Sequence, residues 1–111
     1  MEFRVVEQEF EAKLAPVAGQ SAAGKVERKR YRDGNEVLRA KVRDVDGSAS
    51  AAVLELNIKG TRAGILDESG TKAELRLESR NGETVPAVMP GDVAELRRDG
   101  QVVANGLFVE D

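Results

Sequence analysis

A block of basic side chains in residues 25–43 is the part of this sequence with the clearest capacity to bind a ligand. The block holds eight lysines and arginines against three acidic residues, a local charge of +5 that leaves −8 for the rest of the chain. Such asymmetry is typical of surfaces that bind nucleic acid or another acidic polymer, and a tyrosine in the block could stack on a base. The candidate polyanion-binding residues are Arg28, Lys29, Arg30, Tyr31, Arg32, Arg39, Lys41 and Arg43.

Two features of the sequence argue against nucleic acid as the partner. Tyr31 is the one aromatic residue in the block, whereas proteins that bind single strands stack successive bases on several aromatic side chains. The acidic remainder of the chain would also repel phosphate. A solvated hairpin, or a basic edge that meets the acidic face of a second copy, is the explanation of the block that we favour.

Two groups of carboxylates have the oxygen ligands that a hard cation prefers. Residues 44–48, DVDGS, resemble the start of a calcium loop, but the glutamate expected near position 12 is Glu55, inside a predicted strand. Asp67, Glu68 and Asp92 could meet at one end of a β-domain. Turn preference and solubility explain both groups, and the sequence predicts no metal site and no cofactor.

The chain contains neither cysteine nor histidine. It therefore has no disulfide framework and no cysteine nucleophile, and it lacks the usual general base at neutral pH and the commonest ligand of transition metals. The serines have no histidine partner, and no serine and lysine are spaced as in a catalytic dyad. We expect no enzyme activity, no stoichiometric zinc or copper, and at most weak calcium binding.

The elements that position these side chains are predicted to be strands, and residues 72–92 give the clearest pattern. Apolar and charged residues alternate there, and Asn81-Gly82 supplies the two positive φ angles that a tight hairpin turn requires. The expected inward side chains are Ala73, Leu75 and Leu77 on the outgoing strand, and Val85, Ala87 and Met89 on the return strand. A hairpin is therefore the predicted centre of the fold.

Two further hairpins are predicted about Asp33-Gly34 and Asp99-Gly100. The expected inward sets are Leu38, Ala40 and Val42; Leu54, Leu56 and Ile58; and Val103, Leu107 and Val109. The charged outgoing strand of the first hairpin is expected at a sheet edge or with one full face exposed, since charge there blocks aggregation. Residues 1–17 fit either a helical stripe or a strand, and we favour the strand.

The spacing of these signals indicates an all-β domain. Seven to nine short strands, with turn residues every eight to twelve positions, are typical of a sandwich or barrel. We expect residues 1–111 to form a single antiparallel β-sandwich, Greek-key or hairpin-rich, with no long helix.

The sequence also resembles a known type of β-domain. Residues 10–46, with FEAKL, a loop of small residues, AAGKVE, a D-G turn and VLRAKVRDVDG, resemble the opening of the CHRD (chordin-type) domain. Residues 54–108, with LNIKG, AELRLESRNGETVPAV and a closing G-x-F, are similar to uncharacterised bacterial β-domains, which are often exported. The resemblance implies a Greek-key β-sandwich with a binding or structural role. The histidines usual in CHRD domains are missing, so a metal or redox role does not carry over.

Apolar residues on both faces of some strands suggest what that role is. Val37, Val53, Val85, Val102 and Phe108 are out of phase with the inward sets, and a sandwich buries only one face of each sheet. Either residues 1–17 cover the outer apolar residues or a second copy does. We predict a non-catalytic structural or protein-interaction domain that self-associates as a dimer, and, as the alternative, a module that binds an acidic polymer through residues 25–43.

No part of the sequence indicates membrane insertion. No apolar run approaches the length needed to span a bilayer, and the first residues, MEFRVVEQEF, lack the apolar core of a signal peptide. We expect the chain to be either cytoplasmic or the mature part of an exported protein.

Overall fold

The computed structural model describes residues 5–45 and 52–111. Within these ranges the chain forms β-strands and one short 3₁₀-helix. The strands are β1 (Val6–Pro16), β2 (Ala23–Tyr31), β3 (Glu36–Arg43), β4 (Leu54–Ile58), β5 (Thr61–Ile65), β6 (Asp67–Ser69), β7 (Lys72–Glu78), β8 (Val93–Arg98) and β9 (Gln101–Glu110), and the 3₁₀-helix is Ser79–Asn81. The prediction of an all-β fold is confirmed, and in the described part of the N-terminal segment Val6–Pro16 form a strand.

The nine strands form one antiparallel sheet in the order β5-β4-β8-β9-β1-β2-β3-β7-β6. The two edge strands, β5 and β6, are separated in the chain by a single residue, Leu66. Leu66 is buried, and its backbone N–H donates to the carbonyl of Leu54 at 2.9 Å. Because one residue joins strands at opposite ends of the order, the sheet must curl until its edges meet.

The result is a nearly closed, barrel-like sheet in place of two clearly separate sheets. At the closure, Gly64 of β5 lies so close to Leu75 of β7 that a Cβ on the glycine would be 3.0 Å from the leucine methyl carbons. Strand β2 is expected at an edge or with one full face exposed because of its charge, and the first alternative is wrong, since β2 lies between β1 and β3. Its charged outer side is nevertheless exposed to solvent, because the curled sheet covers only its inner face.

The interior of the curled sheet is filled by one cluster of aliphatic side chains and two phenylalanines. These side chains point inward because side chains alternate between the two faces along each strand. The largest fully buried side chains are Phe108, Leu38, Leu54, Leu56, Leu96 and Val26. The inward sets predicted for β3 and β4 are all buried. Phe10 and Leu14 of β1 complete the cluster, so the N-terminal strand is part of the core and does not act as an outer cover.

The hairpin predicted for residues 72–92 is wrong in its second half. Strand β7 forms as expected, but residues 83–92 contain no strand. Both edges of β7 are already hydrogen-bonded, to β3 on one side and β6 on the other, so a return strand would have no edge to pair with. Pro86 also lacks the N–H that a ladder needs. Consequently Val88 is buried, while Ala87 and Met89 are exposed.

The inward set predicted for the last strand is also partly wrong. Val103 is buried as expected, but Leu107 and Val109 are exposed and Phe108 is fully buried. The register between β8 and β9 shifts where Leu96 pairs with Ala104 and Arg97 with Val102. The extra residue is a β-bulge, and it reverses the inward and outward phase of the residues that follow.

The glycines chosen as turn residues have the backbone conformation that the turns require. Gly34 connects β2 to β3 with φ 89°, and Asp99 and Gly100 connect β8 to β9 with φ 53° and 76°. Gly82 has φ 80°, but it follows the 3₁₀-helix and Asn81 is the last residue of that helix, so this turn does not close a hairpin. Asp33 accepts a hydrogen bond from the backbone N–H of Asn35 at 2.9 Å.

Candidate functional site

Arg28 is the candidate polyanion-binding residue that the structure places inside the protein. It lies opposite Phe10 of β1 and Leu38 of β3, in a row that faces the core, and is 6% exposed. Its Nε donates to the backbone carbonyl of Pro86 at 2.7 Å, and its Nη2 to the carboxylate of Glu36. Arg28 therefore stabilises the fold and is not accessible to an external ligand.

Lys29, Tyr31 and Arg39 lie together on the outer side of β2 and β3. They surround a hollow of about 170 Å³, which is smaller than typical ligand pockets of roughly 300 Å³ or more. The Lys29 amine lies 3.7 Å from the carboxylate of Glu9 and 3.6 Å from that of Glu27. Its charge is balanced locally, and the hollow is too small for a polymer.

Arg30 and Arg32 lie where β2 leads into its turn. The Nε of Arg30 is 3.6 Å from the carboxylate of Glu7 on the neighbouring strand, and the backbone N–H of Arg32 donates to the carbonyl of Val5 at 2.8 Å. The contact with Val5 fixes the start of β1 against this turn. Neither residue lines the larger cavity described next.

Lys41 and Arg43, the remaining two candidates, line a groove of about 830 Å³ on the outer side of the sheet. We call it the basic groove. It crosses β1, β2, β3, β7 and β6. Its basic lining residues are Lys13, Lys25, Lys41, Arg43 and Lys72, and its acidic ones are Glu11, Asp67 and Glu74.

Three of these lysines stand side by side across neighbouring strands. Lys13 of β1 is paired with Lys25 of β2, which is paired in turn with Lys41 of β3. We call these three residues the lysine row. Like charges directly opposite each other on antiparallel strands are destabilising. The row therefore concentrates positive charge at a cost in stability.

Lys25 is the member of the lysine row with an acidic partner. Its amine lies 3.2 Å from the carboxylate of Glu27. The hydrogen bond and the charge of Glu27 raise the pKa of Lys25. Burial alone would raise the pKa of Glu27, but the hydrogen bond from Lys25 and the charges of Lys25 and Lys29 outweigh it and hold that pKa below its ordinary value.

Lys13, Lys41 and Lys72 have no comparable partner. Among the residues that the structure describes, none of the three amines has a carboxylate oxygen within 4.0 Å. Glu74, which stands opposite Lys41, is instead 2.9 Å from the Nε of Arg39. The basic groove thus holds three lysine charges that no side chain in the described ranges neutralises.

Gly24 allows β2 and β3 to approach closely where they form the groove. A Cβ at this position would lie 2.0 Å from the backbone carbonyl oxygen of Lys41 and 2.8 Å from the Cα of Val42. No side chain can be accommodated there without moving the β3 backbone, so the shape of the groove depends on this glycine.

A patch of apolar side chains is exposed on the neighbouring part of the sheet. Val93 of β8 pairs with Leu107 of β9, and Val109 is two residues further along the same side of β9. They are 40%, 57% and 56% exposed. We call these three residues the apolar face. Met89, in the turn that leads into β8, is exposed as well, so both strands and the segment before β8 present large apolar side chains to solvent.

The carboxylates considered for a cation site are separate in the fold. Glu68 pairs with Arg98, and Asp92 lies 3.3 Å from the amine of Lys59 and accepts a hydrogen bond from the backbone N–H of Met89 at 2.7 Å. Asp67 lines the basic groove instead. In residues 5–45 and 52–111, no three acidic side chains come together as a metal site would require. Most of the DVDGS segment, residues 46–48, lies outside the described residues.

The basic block predicted from the sequence, residues 25–43, includes Lys25, Lys41 and Arg43 but omits Lys13 and Lys72, which line the same groove. Alternation alone points Lys13 and Lys72 outward in their strands, but these residues are far apart in the sequence. Only the pairing of β1 with β2 and of β3 with β7 brings them to one groove. A local charge count over residues 25–43 could not reveal that arrangement.

No model of a known protein family matches this chain, and no curated protein matches it significantly. Among the described residues, no helix has the length and apolar character needed to cross a bilayer.

Proposed function

We propose that this chain is a non-catalytic interaction domain that self-associates, as a dimer, through the apolar face. The observation that carries the proposal is the pairing of Val93 with Leu107 on the outer side of β8 and β9, with Val109 beside them. Single exposed apolar residues are common on protein surfaces, but contiguous ones more often mark an interaction site. The resemblance to CHRD domains implies a binding or structural role, which agrees with this proposal.

Removal of the apolar face from water would drive the association. Each square ångström of apolar surface buried contributes roughly 25 cal/mol. A two-fold axis would place the apolar faces of the two copies in contact, so both copies would bury the same patch. Glu11, which stands opposite Val109, begins a charged rim that continues to Lys13 on the same strand. Opposite charges on the two rims can then set the register of the dimer.

Sedimentation equilibrium from micromolar to near-millimolar concentration tests the proposal. We expect the average mass to rise from monomer to dimer over this range, and a Leu107→Lys variant to remain monomeric. Ile65→Lys is the matched control, because Ile65 is also exposed, at 45%, but lies on β5. A single monomer mass for the unmodified chain, or equal association of the Leu107→Lys variant, would refute the proposal.

The basic groove favours a second candidate function, a module that binds an acidic polymer. The sequence located this surface on residues 25–43, whereas the unneutralised charges of the groove are Lys13, Lys41 and Lys72. The two functions respond differently to salt. Polyanion binding weakens steeply as ionic strength rises, while association through apolar side chains does not.

A Greek-key order is part of the proposal for the fold. Strand β8 follows β7 through residues 79–92 and returns to lie beside β4, the first strand of the segment that runs from β4 to β7. Because only Leu66 separates β5 from β6, we count these two as one bent strand. Strand β8 is then the fourth strand and returns beside the first, which defines that motif. Closure of the sheet between β5 and β6 would complete it.

A further inference from the structure

We infer that the basic groove binds a carboxylate-bearing polysaccharide. This inference rests on the second candidate function, the binding of an acidic polymer, and names both the site and the class of polymer. Three features of the groove support it: the like charges of the lysine row, the size of the groove, and the character of its lining.

The lysine row reduces the stability of the free domain. Lys25 faces a lysine on each side, Lys13 on β1 and Lys41 on β3, and cross-strand pairs of like charge are unfavourable. Unlike the lysines of the row, Glu27 has only opposite charges beside it on its own strand. Its carboxylate lies 3.2 Å from the Lys25 amine and 3.6 Å from the Lys29 amine. Lys25 is paired with Glu27, but Lys13 and Lys41 have no carboxylate partner in the described ranges. Unpaired like charges of this kind are typical of a functional surface, and a bound anion would relieve the repulsion.

The groove is large enough for several units of a polymer. Its volume of about 830 Å³ lies within the range of ligand sites. Neighbouring strands are roughly 5 Å apart, so the backbones at Lys13 and Lys41 are separated by roughly 10 Å, with the Lys25 backbone midway. A chain that lies along this row can present an anionic group to each lysine in succession.

The lining of the groove favours a sugar polymer over a nucleic acid. None of the described residues that line it is aromatic, so no side chain there can stack on a base, which contributes much of the affinity for single strands. Glu11 and Asp67 would repel any anionic group placed against them, so a polymer must present its anionic groups to the lysine row. Tyr31, the one tyrosine, lies at the separate hollow beside Lys29.

Those same acidic residues suit a ligand that carries hydroxyl groups. Ionised carboxylates accept hydrogen bonds, and the hydroxyl of Ser69 both donates and accepts. A polymer of uronic acids offers both kinds of group. Its carboxylates would lie against the lysine row, and its hydroxyls would donate to Glu11 and Asp67.

The test is calorimetric titration of the domain with a galacturonate hexamer, with a neutral glucose hexamer and a thymidylate hexamer as comparison ligands. We expect the galacturonate hexamer to bind most tightly. The Lys13→Gln/Lys41→Gln variant should bind this hexamer at least about tenfold more weakly. Its binding should also depend less on salt, because two fewer lysines neutralise the ligand and two fewer counterions are released. Lys59→Gln/Arg62→Gln is the matched control, with the same change of charge in the turn after β4 and on β5.

A second measurement separates loss of the site from loss of the fold. Removal of the like-charge pairs should raise the melting temperature of Lys13→Gln/Lys41→Gln at low salt, and the gain should vanish at high salt.

Tighter binding of the thymidylate hexamer through the same lysines would refute the sugar polymer but leave the acidic-polymer function. Binding of neither anionic hexamer would refute both, and galacturonate binding unchanged in Lys13→Gln/Lys41→Gln would refute the site.

Discussion

The side-chain oxygen of Asn35 accepts a hydrogen bond of 3.0 Å from the backbone N–H of Arg80, 45 residues further along the chain. The same oxygen accepts a bond of 3.1 Å from the Ser79 hydroxyl, and the Asn35 amide donates to the Glu78 carboxylate at 3.0 Å. One buried side chain thus fixes the 3₁₀-helix against the turn between β2 and β3. This contact explains why the chain leaves β7 here and does not turn back as a hairpin.

The first prediction is that Asn35→Ala destabilises the domain. The substitution leaves three polar partners without their hydrogen bonds at a site that is only 5% exposed. We expect the free energy of unfolding to fall by roughly 2 to 4 kcal/mol, since each lost bond contributes about 1 kcal/mol and unpaired groups cost more. Urea denaturation measures this loss. Asn105→Ala, at an exposed position of β9, is the control and should change stability little; equal effects of both would show that the Asn35 contacts are unimportant.

The second prediction concerns Gly82, which ends the 3₁₀-helix with φ 80° and ψ 7°. A β-branched residue is strained in this conformation, so Gly82→Val should destabilise by roughly 1 to 3 kcal/mol. Gly82→Asn is the control, because asparagine tolerates the left-handed region and should lose much less. Thermal unfolding followed by circular dichroism compares the two. A valine variant that melts within a degree of the unmodified chain would contradict the assigned conformation.

The third prediction is a pH dependence that arises from Glu27. Its pKa is held below the ordinary value of 4.5 by Lys25 and Lys29, so the folded state favours the ionised carboxylate more than the unfolded state does. This contribution to stability is fully present above the unfolded value and is lost as the pH falls through the folded pKa. Glu27→Gln should therefore have a flatter stability profile below about pH 5.

Urea titrations from pH 3 to pH 7 measure that difference. Glu95→Gln is the control, because Glu95 forms a similar ion pair within its own strand. Its carboxylate lies 2.9 Å from the Nη2 of Arg97, two residues further along. Profiles of Glu27→Gln and the unmodified chain that stay parallel down to pH 3 would show that Glu27 does not carry the dependence.

The local parts of this fold could be predicted from the sequence. Alternation identified the inward residues of β3 and β4, and the glycines after acidic residues marked two of the turns. These features depend on neighbours within a few residues. Val103 shows the limit: the bulge depends on how β9 pairs with β8, and it exchanged the roles of Leu107 and Phe108. The alternation pattern contains no information on that pairing.

The candidate site shows the same limit more strongly. The basic block was visible as charge, but the sequence did not indicate that Arg28 faces the core or that Lys13 stands beside Lys25. Both facts follow from the order and register of strands distant in the chain. The candidate surface is therefore formed by several strands of the sheet together, and no single segment of the sequence contains it.

The last prediction concerns the buried pair of Arg28 and Glu36. Arg28 also holds the carbonyl of Pro86, so it anchors the segment that replaces the expected return strand. Arg28→Met should lower the free energy of unfolding by roughly 2 to 4 kcal/mol, because it leaves the Glu36 charge partly buried without its partner. It should also speed hydrogen exchange at the backbone of Val88, which lies two residues beyond the lost contact.

A double variant separates the charge from the packing. Because methionine retains most of the apolar contact, Arg28→Met/Glu36→Gln should recover much of the lost stability once the unpaired carboxylate is gone. Arg30→Met is the control, since Arg30 is largely exposed and its contact with Glu7 at 3.6 Å should contribute about 1 kcal/mol or less. If Arg28→Met were no more destabilising than Arg30→Met, Arg28 would be free to serve the polyanion-binding role that its sequence context suggested. If the double variant recovered nothing, the hydrogen bond to Pro86, and not the ion pair, would be the interaction that anchors residues 83–92.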